Sequence, residues 1–492
     1  MSTQIDRPAP ADSLRLVFNA PNAVTATRVL LAIIIACLLH TGDPGAIARA
    51  GVLRRALPAP GRLVEGLRAW LVLSGRHLLI RSRAPKRLLL RPGDRLAICG
   101  DSITEQKMYS RIIEDYLTVC VPELNVSVRQ YGWGGERAPG FLARMTNDCL
   151  RFRPTLATTC YGMNDHEYRA YEDRIGQTYR EASTAIVRAF KARGVRVIQG
   201  APGIVGKVPG WTRHTNDTRL DLNRNLGRLR NLGIEIAKAE RVGFADVFWA
   251  MLTADATARQ VYGPGYALAG EDGVHPGWAG HLVMAYAFLK GMGLTGDIGR
   301  FEVELKKNRM TLSPGHRLVS AREGEFVIQS SRYPFCACAP AGLGGASYPV
   351  CGADDPATDS SIRSALKLVP FNEELNRLTL KVRNVRSGRS YRVTWGAEAR
   401  TFTGEQLRRG VNLAAEFARN PFSEAFARVD AAVAAKQAYE TTQIKTRFRS
   451  PEAKADMEAV AAQTEREREP LAAAIRAAFV PVTHTLRIER AP

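Results

Sequence analysis

Four short stretches of the chain carry residue types suited to acyl transfer. Gly100-Asp101-Ser102-Ile103-Thr104 places a serine hydroxyl directly after the apolar run 95–99 and before a helical pattern. A serine at such a junction sits beside unpaired helix N–H groups, which stabilise developing negative charge. Asp272-Gly273-Val274-His275-Pro276 sets a carboxylate three residues before an imidazole. In a tight turn, Asp272 can orient His275 and stabilise its protonated form while the other ring nitrogen faces a serine. Between them lie Tyr131-Gly132-Trp133-Gly134-Gly135-Glu136, whose glycines let backbone N–H groups approach a ligand, and Gly162-Met163-Asn164-Asp165, which offers a side-chain amide donor. Taken singly, each stretch has an ordinary structural use as an N-cap, a turn or a chance spacing. Their weight comes from their order and their common position after strand-like runs.

The elements that must position these residues follow from hydrophobic patterning. Short β-branched or apolar runs at 95–99, 125–131, 155–161, 195–200 and 243–248 predict strands, and amphipathic patterns at about 106–119, 138–150, 175–193, 217–241 and 278–292 predict helices. Strands separated by helices imply an α/β domain with a mainly parallel sheet covered on both faces. Ligands of such sheets bind outside the carboxyl ends of the strands, where all four stretches fall.

After about residue 300 the alternation stops. Runs such as 378–383 and 391–395, separated by Ser387-Gly388, predict an antiparallel β module. Residues 411–445 and 451–479 read as two long Ala/Glu/Lys-rich helices broken at Ser450-Pro451, followed by a strand at 482–489. The expected organisation is a 1–90 extension, a 91–297 catalytic domain, a 298–410 β module, and a 411–492 helical hairpin with a terminal strand.

With 492 residues, 45% hydrophobic and 24% charged, the chain is long enough for two or three domains and is not disordered, collagen-like or a multi-span membrane protein. Its formal charge of +21 is concentrated partly before Arg95, in arginines without interleaved aromatics, so no nucleic-acid partner is expected. Residues 29–39 form the longest uncharged apolar run. As a helix they would rise about 16 Å, roughly half a bilayer's hydrocarbon thickness. With arginines before it and small residues after, the run fits a secretory signal, with a membrane anchor as the alternative. Eight cysteines are too few for a disulfide scaffold, and Cys336, Cys338 and Cys351 read as free or paired thiols rather than metal ligands.

In the order Ser, Gly, Asn, Asp-x-x-His, residues 95–292 resemble the SGNH, or GDSL-type, serine hydrolases. That resemblance implies a flavodoxin-like three-layer α/β/α fold with Ser102 as nucleophile and His275 as base, oriented by Asp272. It also implies an oxyanion hole built from the N–H groups of Ser102 and Gly135 and the amide of Asn164, with no metal and no cofactor. The family block Asn-x-Gly-x-x-Gly falls on Gln130, Gly132 and Gly135, so this chain departs from it by carrying Gln130 in place of Asn. Asp101, Trp133, Met163, Asp165 and Trp278, with Tyr131, His166 and Tyr168 nearby, are expected either to shape the substrate site or to fill the core.

The expected activity is a secreted or periplasmic carboxylic-ester hydrolase that removes short acyl groups such as acetate from carbohydrate. Membrane-anchored and cytoplasmic locations are the alternatives. A lipid esterase, lysophospholipase or thioesterase is the alternative within the same chemistry. From another class, the alternative is a non-catalytic carbohydrate-binding protein on a hydrolase fold. The oligomeric state is left open.

Overall fold

Apolar runs short enough to be strands, each followed by an amphipathic helix, build the first half of the protein. The computed structural model describes residues 85, 87–214, 216–337 and 357–491. Strands β1 (Arg95–Gly100), β2 (Ser127–Gln130), β3 (Leu156–Cys160), β4 (Arg196–Gly200) and β5 (Gly243–Ala245) form a parallel sheet in the order β2-β1-β3-β4-β5. This is the flavodoxin-like order, whose switch point lies between β1 and β3. Every residue of β3 is buried, as a central strand covered on both faces must be. The accompanying helices are α1 (Ser102–Glu105), α2 (Tyr109–Val119), α3 (Ala138–Asp148), α4 (Asp173–Ala192), α5 (Arg219–Glu240), α6 (Val247–Val261) and α7 (Trp278–Gly291).

The fifth strand is shorter than the pattern 243–248 suggests. Asp246 accepts a hydrogen bond from the Trp249 N–H at 3.2 Å and so starts α6 inside the expected strand. A capping carboxylate outweighs the β-propensity of Val247 and Phe248.

Beyond the parallel sheet, β6 (Asp297–Glu304), β7 (Arg309–Leu312), β8 (His316–Arg322), β9 (Glu325–Ser330), β10 (Arg377–Arg383), β11 (Ser390–Trp395), β12 (Glu398–Thr403), β13 (Val411–Asn412) and β14 (Val482–Arg490) form two further sheets. The five-stranded sheet β12-β11-β14-β9-β8 is antiparallel, and the C-terminal strand β14 sits at its centre. The four-stranded sheet β13-β10-β6-β7 corrects the antiparallel expectation, because β6 and β10 pair in parallel. A parallel pair requires a long crossover, which the residues between Glu304 and Arg377 supply.

The two predicted C-terminal helices are also subdivided. Residues 411–412 pair with β10, and the long helix α8 begins only at Ser423, after Pro421, and runs to Lys445. Asp456 caps a new helix, α9 (Met457–Ala478), by accepting from the Ala459 N–H, so 451–455 is a separate turn of helix.

The α8/α9 hairpin lies along the parallel sheet at β2, which would otherwise be an unprotected edge strand. Its Ile444, Phe448, Val460 and Ala461 join the same apolar core as Ala97, Tyr131, Phe141 and Phe190. The contact is also ionic. Lys436, 1% exposed, donates to Val128 O (2.5 Å), to Glu114 (2.9 Å) and to Glu440 (3.0 Å), and Arg468 donates to Glu440 (2.8 Å). Desolvated charges arranged this way contribute little net stability but tolerate few alternative placements. The hairpin is therefore fixed in position on the sheet. Among the described residues, no helix is long and apolar enough to cross a membrane, and the 29–39 run lies outside them.

Candidate active site

The carboxyl ends of β1 and β3, the two strands at the switch point, present Ser102 and Asn164. β1 ends at Gly100, and Asp101 caps α1 by accepting the Ile103 N–H at 3.0 Å. Ser102 is thereby the first residue of a helix. Its Oγ lies 2.8 Å from His275 Nε2. The His275 loop precedes α7, and His275 Nδ1 lies 2.7 Å from Asp272 Oδ2, while Asp272 Oδ1 accepts the Val274 and His275 N–H groups, each at 2.8 Å. Burial pushes the Asp272 carboxyl up, but those N–H donors and the imidazole outweigh it and hold the carboxyl below its usual range. Asp272 is thus an anion with both oxygens committed.

A segment from the C-terminal half braces this loop. Asp359 accepts the Gly277 N–H through Oδ2 (3.2 Å) and the Ala279 N–H through its carbonyl (2.8 Å).

The glycine loop follows β2 and crosses close over α1. Gly132 leaves no room for a side chain, since a Cβ there would stand 2.1 Å from Glu105 N. The Gly134 N–H is committed to the Glu105 carboxylate, whereas Gly135, exposed at φ +71°, carries the next N–H. An open depression of about 540 Å³ beside it is lined by Trp133, Gly134, Gly135, Glu136, Arg137, Pro139 and Gly140.

After β3, Asn164 Nδ2 donates one hydrogen to Glu136 O (3.0 Å), and Oδ1 accepts the Tyr168 hydroxyl (2.9 Å). A primary amide has two donor hydrogens, so one remains for a ligand. Tyr168 reaches this position from left-handed backbone, with Glu167 and Tyr168 at φ +56° and +53°, a region side chains other than glycine rarely adopt.

The residues expected to line a substrate surface divide. Asp101, Met163 and Asp165 are instead buried, at 2, 2 and 5% exposure. Asp101 is an N-cap, and burial with the nearby Asp165 and Glu136 carboxylates pushes its carboxyl up to about 7. Asp165 ties the loop after β3 to α3 by accepting the Ala138 and Gly162 N–H groups, both at 2.9 Å. Burial pushes its carboxyl up to about 6. These three support the site from beneath. Their sequence signal, polarity next to a motif, does not distinguish a cap from a ligand-facing residue.

Trp133 and Trp278 are half-buried. Tyr131 is core, stacked on Phe152, and His166 is buried, with burial keeping it neutral down to about 4. The residue missed from sequence is Trp211, 48% exposed, with its ring centroid 6.0 Å from His275 and edge-on to Tyr168 at 5.8 Å. The available signal was an aromatic in a Pro-Gly-Trp loop, far in sequence from every motif. Cys336 is a buried free thiol, and Cys338 and Cys351 lie outside the described residues. Among the described residues, no group of three or more His, Cys, Asp or Glu is placed to hold a metal ion.

Comparison with known proteins adds the following. The GDSL-like Lipase/Acylhydrolase family model matches residues 98–283. A gut microbial diltiazem-metabolizing enzyme aligns with a TM-score of 0.66 at 20% identity, covering 83% of this chain and 100% of its own. That coverage is wider than the family segment. An acetylxylan esterase from Geobacillus stearothermophilus covers 42% of this chain and 97% of its own at 21% identity, with a TM-score of 0.35. An alpha/beta hydrolase from the metagenome of Lake Arreo, Spain, covers 42% and 98% at 20% identity, with a TM-score of 0.35. No curated protein matches the chain.

Proposed function

We propose that the protein, whose residues 98–283 match the GDSL-like lipase/acylhydrolase family model, is a serine-dependent carboxylic-ester hydrolase that removes short acyl groups such as acetyl from carbohydrate. The observation that carries the reading is the relay of Ser102 Oγ to His275 Nε2 at 2.8 Å and His275 Nδ1 to Asp272 at 2.7 Å. Ser102 Oγ attacks the ester carbonyl as His275 takes its proton. The imidazolium, held by the Asp272 carboxylate, returns that proton to the leaving alcohol, and water then hydrolyses the acyl-enzyme by the same route. The tetrahedral oxyanion is received by the Ser102 N–H, the Gly135 N–H and the free hydrogen of Asn164 Nδ2. Commitment of the Gly134 N–H to Glu105 supports Gly135 as the glycine donor.

The carbohydrate preference draws on Trp211, an exposed indole beside His275 whose face suits the C–H face of a sugar ring. The 29–39 run supports export.

The test is hydrolysis of p-nitrophenyl acetate and of long-chain p-nitrophenyl esters, with Ser102→Ala and His275→Ala beside wild type. Acetate cleavage that both variants abolish, with fluorophosphonate labelling lost in Ser102→Ala, is the expected result. A wild type that neither hydrolyses nor labels overturns the proposal, and preference for long chains replaces it with a lipid esterase.

A further inference from the structure

We propose that helix α8, which lies outside the family segment, holds the glycine loop of the oxyanion hole in its working position, with Gln130, Glu105 and Lys445 as positioning residues. The proposal rests on the esterase reading above. Its basis is three separate ties from one helix face to residues 130–134.

The first tie is Gln130, which is completely buried. Its Oε1 accepts the Gly132 N–H at 3.0 Å, and its Nε2 donates to Thr441 Oγ1 at 2.6 Å on α8. Its own N–H donates to Glu440 at 3.2 Å. Asn, one methylene shorter, would not span from Gly132 to α8. The departure from Asn at this position therefore has a physical reason, since the longer amide reaches a helix that a minimal domain lacks.

The second tie runs through Glu105. Lys445 Nζ donates to Glu105 Oε1 at 2.6 Å, and Glu105 Oε2 accepts the Gly134 N–H. Glu105 ends α1, the helix that Ser102 begins. One carboxylate thus joins the nucleophile's helix, the glycine loop and the last residue of α8. The third tie is Trp133, whose ring has Lys445 Nζ at 5.1 Å, Arg449 Cζ at 5.1 Å and Arg144 Cζ at 5.0 Å over it. Arg449 and Arg144 are themselves held by the buried Asp148 and Glu136.

A donor stabilises an oxyanion only if it is aimed before the charge develops, and the exposed Gly134 and Gly135 have no side chains of their own with which to aim their N–H groups. The α8 ties supply that constraint. Because α8 is anchored by the buried Lys436, Glu440 and Arg468 cluster, they act from a fixed support.

The experiment compares wild type with Lys445→Met, Thr441→Val and Lys445→Arg. The readouts are kcat and KM for p-nitrophenyl acetate, the rate of fluorophosphonate labelling, and inhibition by a trifluoromethyl ketone, whose hemiketal oxyanion, formed by addition of Ser102 Oγ to the carbonyl, mimics the tetrahedral intermediate. Lys445→Met is expected to lower kcat by about tenfold, a fraction of the ~10²–10³ lost when a donor is deleted outright. KM should stay within about twofold, labelling should slow, and ketone affinity should fall by the same factor as kcat, as expected for an interaction made only in the transition state. Thr441→Val should act in the same direction to a smaller degree, and Lys445→Arg should restore kcat. If Lys445→Met does not fold, Thr441→Val carries the same test.

Wild-type kcat and ketone affinity in both variants, or a raised KM with unchanged kcat, would refute positioning by α8 while Ser102-dependent activity stands. A wild type without hydrolysis or labelling overturns the esterase reading and this proposal together.

Discussion

Replacing Asp272 with Asn isolates what this carboxylate does, because its two oxygens have different partners. Oδ1 accepts two backbone N–H groups at 2.8 Å, and Oδ2 faces His275 Nδ1 at 2.7 Å. An amide can satisfy only one side. With its oxygen toward the backbone, its NH₂ faces Nδ1 and forces the ring proton onto Nε2, so the nitrogen facing Ser102 can no longer accept a proton. The opposite orientation preserves the working tautomer but sets the NH₂ against two N–H donors, each costing about 1–3 kcal/mol if left unsatisfied.

The Asp272 side chain is 37% exposed, so water relieves part of that cost. The lower end applies, and the wrong orientation is favoured by about 2–3 kcal/mol. Loss of the charged partner of the imidazolium adds about 1–2 kcal/mol, the difference between a charge-assisted and a neutral hydrogen bond. The sum of about 3–5 kcal/mol corresponds to a fall of roughly 10²- to 10⁴-fold in kcat/KM. The assay is p-nitrophenyl acetate hydrolysis near pH 7.5, with fluorophosphonate labelling in parallel. If Asp272→Asn stays within tenfold of wild type while His275→Ala falls to background, Asp272 does not set the tautomer and the relay is misassigned.

Tyr168→Phe removes the hydroxyl that orients the Asn164 amide, and kcat should fall by about tenfold, below the ~10²-fold or more of losing a donor, with KM little changed. A changed KM at constant kcat would assign Tyr168 to substrate binding instead. Gly132→Ala drives a Cβ to 2.1 Å from Glu105 N, a backbone atom that cannot swing aside, and should cost at least the ~3 kcal/mol upper range of ordinary overpacking, read as a lowered urea midpoint. Tolerance of alanine there would show that the loop and α1 are not in direct contact.

Burial, with the nearby His275, keeps His281 neutral down to about 3, whereas in the unfolded chain it protonates near 6.5. Its contribution to stability is therefore complete above about pH 6.5 and is lost as pH falls toward about 3, at up to ~1.4 kcal/mol per pH unit. His281→Gln should flatten the acid limb of stability against pH by about one proton. An unchanged slope would show that His281 is solvated or charged in the folded protein.

How much was legible in advance differs by element. Ser102, Asp272 and His275 could be named as candidates because each motif is local, a serine at a strand-to-helix junction and an Asp-x-x-His turn, whereas the approach of Ser102 to His275 spans 173 residues. The parallel sheet was equally legible, since buried strands and amphipathic helices leave different periodicities in the chain. The start of α6 inside the run 243–248 was not, because an Asp cap and an apolar strand edge compete and only packing decides between them. Nor were the burial of Asp101, Met163 and Asp165, the approach of Trp211 to His275 across 64 residues, or the insertion of β14 at the centre of a sheet begun at His316.

By itself, then, the sequence supplied the candidate nucleophile, base and orienting acid, because these follow from residue type, local spacing and the order of the motifs. Tertiary structure alone decided what holds them, because the ties from Thr441 to Gln130 and from Lys445 to Glu105 span more than three hundred residues. Partners that far apart leave no periodicity or spacing to read, and they meet only once the hairpin has packed on the edge of the sheet.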